Sequence, residues 1–215
     1  ISLSADLEEA ATDSSIVIEA APEKMELKRQ IFAQGESVVD PTTLLASNTS
    51  SLSIGSIAEG LVNPERFVGL HFFNPVHIMK LVEVVWGRQT SNEARDRGVA
   101  FARSLGKEPI VVRDAPGFAS SRLGIVLGME AIRMVEQGVA TPADIDKAME
   151  LGYRHPMGPL KLTDLVGLDV RLGITEYLHE QLGSDAFEAP ELLKSMVAEG
   201  KLGKKSGQGF YDWED

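Results

Sequence analysis

Ser15-Ile16-Val17-Ile18-Glu19-Ala20-Ala21 is a compact β-branched run, and Pro22-Glu23 follows it at once with a helical pattern whose apolar positions are Met25, Leu27, Ile31 and Phe32. β-Branched residues suit a pleated, packed surface. Proline is pre-set for a first helical turn, and an acidic residue beside it suits the positive end of a helix. The same unit repeats outward from there. A second apolar run over 42–47 ends in the polar turn Asn48-Thr49-Ser50-Ser51, with a short helix expected over 54–61. Runs over 67–73, 81–86 and 109–113 read as three more strands. The stretch 93–105 reads as a helix with Val99, Ala102 and Leu105 on one face, closed by Gly106. Strands alternating with helical patterns predict a largely parallel sheet with helices on its faces. The first half is therefore expected to be α/β.

The pattern changes at Asp114-Ala115-Pro116-Gly117, a turn cluster that marks the expected boundary between 1–115 and 116–215. Beyond it only the tail 209–213 is strand-like. The stretch 118–135 carries one apolar stripe at Leu123, Val126, Leu127, Ala131 and Met134, and a second at Ile125, Met129 and Ile132. A helix apolar on two faces is expected to be buried on two faces, the second one against another subunit. Thr141-Pro142-Ala143-Asp144 is a helix start, with threonine as cap and proline at the first helical position. That helix is expected to end at Gly152, with others over 168–182 and 190–198. The second half is expected to be all-α.

Composition narrows the function classes. The 215 residues are 43% apolar and 25% charged, the balance of a globular protein. A net charge of −11 opposes general binding to nucleic acid or anionic lipid, while leaving room for an anionic small molecule in a locally basic cleft. The chain has no cysteine, which excludes disulfides, thiolate metal sites and a cysteine nucleophile. No apolar stretch reaches the ~18 residues of a membrane span and no signal-peptide pattern opens the chain, so the expectation is a cytoplasmic protein. The chain begins with Ile1 in mid-pattern, which reads as a truncated start.

The residues suited to chemistry cluster after the third strand. Leu70-His71-Phe72-Phe73-Asn74-Pro75 brings a histidine and an asparagine to a strand end, where open α/β sheets place their ligands. In Lys80-Leu81-Val82-Glu83-Val84-Val85 a carboxylate interrupts an apolar strand. Flanked by apolar residues on both faces, Glu83 is either exposed at an edge or buried with a partner. An imidazole N–H would be a good one. Such a pair makes a histidine base oriented by a carboxylate. Taken singly, His71 also fits a structural histidine and Glu83 a solvated one. The turn Ser47-Asn48-Thr49-Ser50-Ser51 fits two roles as well, a cap for the next helix or a hydrogen-bonding edge for a ligand. His155 reads as a loop-fixing residue, and His77 and His179 as surface or loop residues. No pair has ligand spacing, so no metal is expected. The basic patch 201–205 by itself reads as solvated surface.

Five segments occur in order: Ala46-Ser47-Asn48-Thr49-Ser50-Ser51-Leu52; Gly69-Leu70-His71-Phe72-Phe73-Asn74-Pro75 with Met79-Lys80-Leu81-Val82-Glu83-Val84; Asp114-Ala115-Pro116-Gly117-Phe118; Met157-Gly158-Pro159; and Gly203-Lys204-Lys205-Ser206-Gly207-Gln208-Gly209-Phe210-Tyr211. Together they resemble the 3-hydroxyacyl-CoA dehydrogenase family over nearly the whole chain. The resemblance implies an α/β then all-α protein. Its 1–115 would be the C-terminal half of a Rossmann-type NAD-binding domain with the first βαβ missing, and its 116–215 a helical dimerisation domain. It implies that His71 is the general base and Glu83 its orienting carboxylate. Asn74 and Ser50 would hydrogen-bond the substrate or the nicotinamide side of NAD, with Ser50 also near the CoA thioester. Glu23, Lys28, Asn48 and Lys205 would contact NAD. The implied reaction oxidises the 3-hydroxyl of a (3S)-3-hydroxyacyl-CoA, as in fatty-acid β-oxidation or butanoate-type metabolism, in a homodimer.

Two departures stand out. The family's glycine-rich phosphate turn and its ribose-binding acidic residue are not found after Ile1, and Ser206-Gly207-Gln208-Gly209 follows no strand and cannot replace the turn. The isolated chain is therefore expected to bind NAD poorly and to be inactive. Ser121 stands where many members carry asparagine, which leaves a helper role there open. Two rival readings are a related dehydrogenase of a free hydroxy acid or sugar acid, and a non-catalytic dimerisation or binding fragment.

Overall fold

In a computed structural model the described residues are 2–213. They form two compact units that divide between Phe118 and Ala119. The first opens with α1 (Leu7–Ala11), a short helix capped by Asp6 that the apolar pattern does not announce. Then come β1 (Ile16–Glu19), α2 (Met25–Val38), β2 (Leu44–Ser47), α3 (Ile54–Ala58), β3 (Phe67–Phe72), β4 (Leu81–Trp86), α4 (Asn92–Ser104) and β5 (Glu108–Arg113). The sheet runs β1-β2-β3-β4-β5.

Three of the four neighbouring strand pairs are parallel, and β3–β4 is antiparallel. The exception has a plain cause. Parallel neighbours need a crossover of a dozen or more residues, and only residues 73–80 join β3 to β4. The reversal sets His71 directly opposite Glu83 in the register. Alternation along the strands then separates two cores. Leu45, Phe67 and Val85 pack with Phe32 of α2 and with Ile54, Ile57 and Ala58 of α3. Leu44, Ala46, Val68, Leu70, Val82 and Val84 pack on the other face with Ala94 and Ala102 of α4. By parity His71 and Glu83 lie on the α2/α3 face. Gly69 lets α3 settle there, since a Cβ at 69 would stand 2.8 Å from Ile54 Cδ1 and from Val85 Cβ.

The helix α2 begins at Met25, three residues after the proline that suggested its start. Glu23 does not serve its N-terminus. The carboxylate is taken by the 49–51 turn instead, accepting from Thr49 Oγ1 at 2.5 Å and from the Ser50 and Ser51 N–H groups at 3.0 and 3.2 Å.

The second unit contains α5 (Ser120–Glu136), α6 (Pro142–Tyr153), α7 (Pro159–Val166), α8 (Leu168–Leu182) and α9 (Glu191–Ala198). Thr141 caps α6 as the sequence suggests, but the helix passes Gly152 and stops at Arg154, which adopts the left-handed conformation. Of the two stripes on α5, Ile125, Met129 and Ile132 are fully buried in the core of this unit. Val126 and Met134 of the other stripe pack on that same core, while Leu123 remains 68% exposed.

Two buried carboxylates fasten the C-terminal tail. Asp164 accepts from Phe210 N, Tyr211 N and Trp213 Nε1, each at 2.9 Å. Asp146 accepts from Leu160 N, Lys161 N and Tyr211 Oη, each at 2.8 Å. Any side chain at Gly209 would run into the Asp164 carboxylate, so glycine is required at that point of the tail. The strand-like reading of 209–213 reduces to isolated bridges, Gly203 with Gln208 and Gln208 with Asp212.

Candidate active site

The carboxyl ends of β1, β2 and β3 lie side by side because these strands are mutually parallel. On that edge stand Glu19, Ser47 and His71. His71 is 5% exposed and Glu83 fully buried, and His71 Nδ1 lies 2.7 Å from Glu83 Oε2. A carboxylate can only accept, so the Nδ1 proton points to Glu83 and Nε2 is the nitrogen left over. It has no hydrogen-bond partner among the described residues. Such a charge-assisted contact in a dry setting fixes both tautomer and ring orientation. Phe73 and Phe118 wall the imidazole, their centroids 4.5 and 6.0 Å from its own.

Asn48 ties the neighbouring turn to the same strand end, its Oδ1 accepting from Phe72 N at 2.8 Å. Ser50 stands in this turn, its N–H held by Glu23 as described. Beneath it runs a buried network that the sequence reading did not find. Glu19 accepts from Lys28 Nζ and from Ser47 Oγ, both at 2.7 Å. Lys28, only 1% exposed, also donates to Ala21 O at 3.0 Å and pairs with Glu23 Oε2 at 3.4 Å. The signal was present, because Glu19 interrupts a β-branched strand just as Glu83 does. Asp114, read as part of a boundary turn, accepts from Ser53 Oγ, Ile54 N and Gly55 N at 2.8–3.0 Å and so binds the exit of β5 to the start of α3.

Asn74 is exposed and precedes a cis bond to Pro75. Ser121 lies in the first turn of α5. Lys205 belongs to the second unit, where its Nζ is 2.5 Å from Asp169 Oδ1. Burial opposes ionisation of Asp169, but the hydrogen bond from Lys205 and the N–H of Val170 outweigh it, so the carboxyl lies below its ordinary value. His179 Nδ1 is 3.1 Å from Ser184 O, and His77 is exposed. Among the described residues no three acidic or histidine side chains converge on a point where a metal could sit. Among the described residues no helix is long and apolar enough to cross a membrane.

A Rossmann-like, mostly parallel sheet with a buried His–Glu pair and a polar turn at its strand ends fits the class of NAD-binding α/β dehydrogenases. Comparison with known proteins makes this specific. Residues 1–115 match the family model for the 3-hydroxyacyl-CoA dehydrogenase NAD binding domain, and 117–213 that for the C-terminal domain. The Bacillus subtilis protein named "Probable 3-hydroxybutyryl-CoA dehydrogenase" is 48% identical over 215 residues, covering 100% of this chain and 75% of that protein. The crystal structure of Mycobacterium tuberculosis FadB2 superposes with a TM-score of 0.94 at 45% identity, covering 98% of this chain and 74% of the other. That of the (S)-3-hydroxybutyryl-CoA dehydrogenase of Ralstonia eutropha superposes with 0.93 at 40% identity, covering 99% and 75%. The chain belongs to the 3-hydroxyacyl-CoA dehydrogenase family, and NAD is the cofactor of its first domain.

Proposed function

We propose that this protein oxidises the 3-hydroxyl of a (3S)-3-hydroxyacyl-CoA to the ketone, with His71 Nε2 as the atom that takes the hydroxyl proton. The observation that carries the reading is the buried 2.7 Å contact between His71 and Glu83, which occupies Nδ1 and leaves Nε2 for the substrate. NAD, when bound, supplies the hydride acceptor. The residues at the strand ends suit such a cofactor: the Asn48 amide, Ser50 and the partly exposed Glu23 form a hydrogen-bonding edge beside the imidazole. In this reading Asn48, Ser50 and Glu23 orient the nicotinamide side, Lys28 acts through Glu23, and Lys205 is a further contact of NAD. Asn74 and Ser50 hold the substrate. Glu83 keeps the ring aimed and stabilises the imidazolium once the proton arrives. Neutral imidazole can take the proton in one direction and return it in the other, which suits a reversible oxidation.

The reading includes a homodimer built through the helical domain and a cytoplasmic setting, tested by sedimentation and by cell fractionation. Its chemistry is tested with His71→Gln, which keeps a hydrogen-bonding side chain but no base. In the full protein, NADH formation from (3S)-3-hydroxybutyryl-CoA should fall roughly 10²–10⁴-fold in kcat, the usual contribution of a positioned acid–base group. A variant that keeps wild-type turnover would remove His71 from the reaction.

A further inference from the structure

Arg171 on α8 is 6% exposed, and beyond its backbone N–H, which donates to Gly167 O, its side chain has no hydrogen bond or ion pair among the described residues. Its Nε is sealed from solvent without a partner. Among the described residues the other buried charged side chains are compensated. Lys28 has Glu19, and Arg66 has Glu36 together with the carbonyls of Asp40 and Thr43. Glu83 has His71, while Asp146 and Asp164 collect backbone N–H groups. The carboxylate nearest to Arg171 in the chain, Asp169, is already engaged by Lys205.

A buried cation without a counter-charge is costly, and burial pushes the guanidinium down to about 10. Folding keeps Arg171 there all the same. Its Nη1 lies over α5, where a Cβ at Gly124 would stand 3.5 Å away in ordinary contact, so the absence of a side chain at 124 leaves room over the head group. Leu123 beside Gly124 and Val170 beside Arg171 are exposed apolar residues, 68% and 43%. A guanidinium is a rigid fork that matches the two oxygens of a carboxylate or phosphate, and apolar surroundings strengthen the pair once water is displaced.

We propose that Arg171 is an oxyanion-binding point of the helical unit, completed by a carboxylate or phosphate group from outside the chain. The group comes either from a small molecule in solution or from a side chain of a second copy. This inference is independent of the hydroxyl oxidation proposed above, and its test does not read activity. Arg171→Met and Arg171→Lys are compared with the wild type in the full chain. The first removes the charge at similar length, and the second keeps the charge but loses the fork.

In one arm, phosphate and glutarate are titrated at ionic strength held constant with sodium chloride, and thermal unfolding is followed. A small-molecule source predicts that the wild-type melting temperature rises by about 3 °C or more at saturation, less in Arg171→Lys, and not in Arg171→Met. In the other arm, sedimentation measures dimer dissociation. A second-copy source predicts at least a tenfold weaker dimer in Arg171→Met, partly restored in Arg171→Lys, with an anion-independent melting temperature. Arg171→Met that matches the wild type in both arms overturns the proposal and leaves Arg171 a structural side chain.

Discussion

Glu83 sits among Val82, Val84 and Val85, all fully buried, and His71 lies across the strand pair as a partner for its carboxylate. Glu83→Gln keeps the size and one acceptor oxygen but removes the charge that stabilises a protonated ring. In the full protein it should lower kcat roughly 10²–10⁴-fold while leaving KM for the acyl-CoA little changed, because Glu83 need not touch the ligand. Steady-state kinetics corrected for the folded fraction decide the matter. Normal turnover per folded site, with only thermal stability reduced, would make Glu83 structural and end the dyad. His71 and Glu83 were legible from the sequence as residue types out of place in apolar strands. Which way each one faced was not.

Between elements, the carboxylate of Glu36 on α2 collects the N–H groups of Val62 and Asn63 at 2.7 and 2.9 Å and pairs with Arg66 at 3.4 Å. It thereby pins the chain that leads from α3 into β3. Burial alone would raise its pKa, but these donors outweigh it and hold the group below the ordinary 4.5. A carboxyl whose folded pKa is depressed stabilises the fold above the unfolded value and loses that contribution as pH falls through the folded one. Glu36→Gln should therefore cost about 1.5–3 kcal/mol near pH 7, the range for hydrogen bonds to a charged group. The gap to the wild type should close as pH drops below 4.5. Urea unfolding at pH 7 and again in that acid range tests this. A gap that is equal at both pH values would mean that the charge is irrelevant.

For the whole molecule, the helical unit leaves Leu123, Leu162, Leu165, Val166 and Val170 between 39% and 68% exposed, all on the mutually packed helices α5, α7 and α8. Scattered exposed leucines are ordinary, whereas several on adjoining helices suit a partner surface. If the homodimer forms there, Leu123→Glu should convert the wild-type dimer to a monomer at micromolar concentration without unfolding it, since the side chain lies outside the core. Sedimentation with circular dichroism reads both quantities. A wild-type monomer, or a Leu123→Glu dimer of unchanged affinity, would place the interface elsewhere or remove it.

Local chemistry in the sequence determined the strand-and-helix alternation up to β5, the change to all-α character, the Thr141 cap and the motif series that carried the family. Each of these depends on neighbours within a turn or two of the chain, where periodicity and capping act. Only the tertiary structure decided the register that sets Glu83 against His71. It also decided that Glu23 holds the 49–51 turn instead of starting α2, and that α2 therefore begins at Met25. The helix α7, the Asp146 and Asp164 clamps on the tail, and the uncompensated Arg171 belong to the same group. In the His71–Glu83 pair, the Glu23 contact and the two clamps, a charged group meets its partners far away in sequence. The cost of leaving it unpaired is settled by the packed interior, where no local pattern reaches.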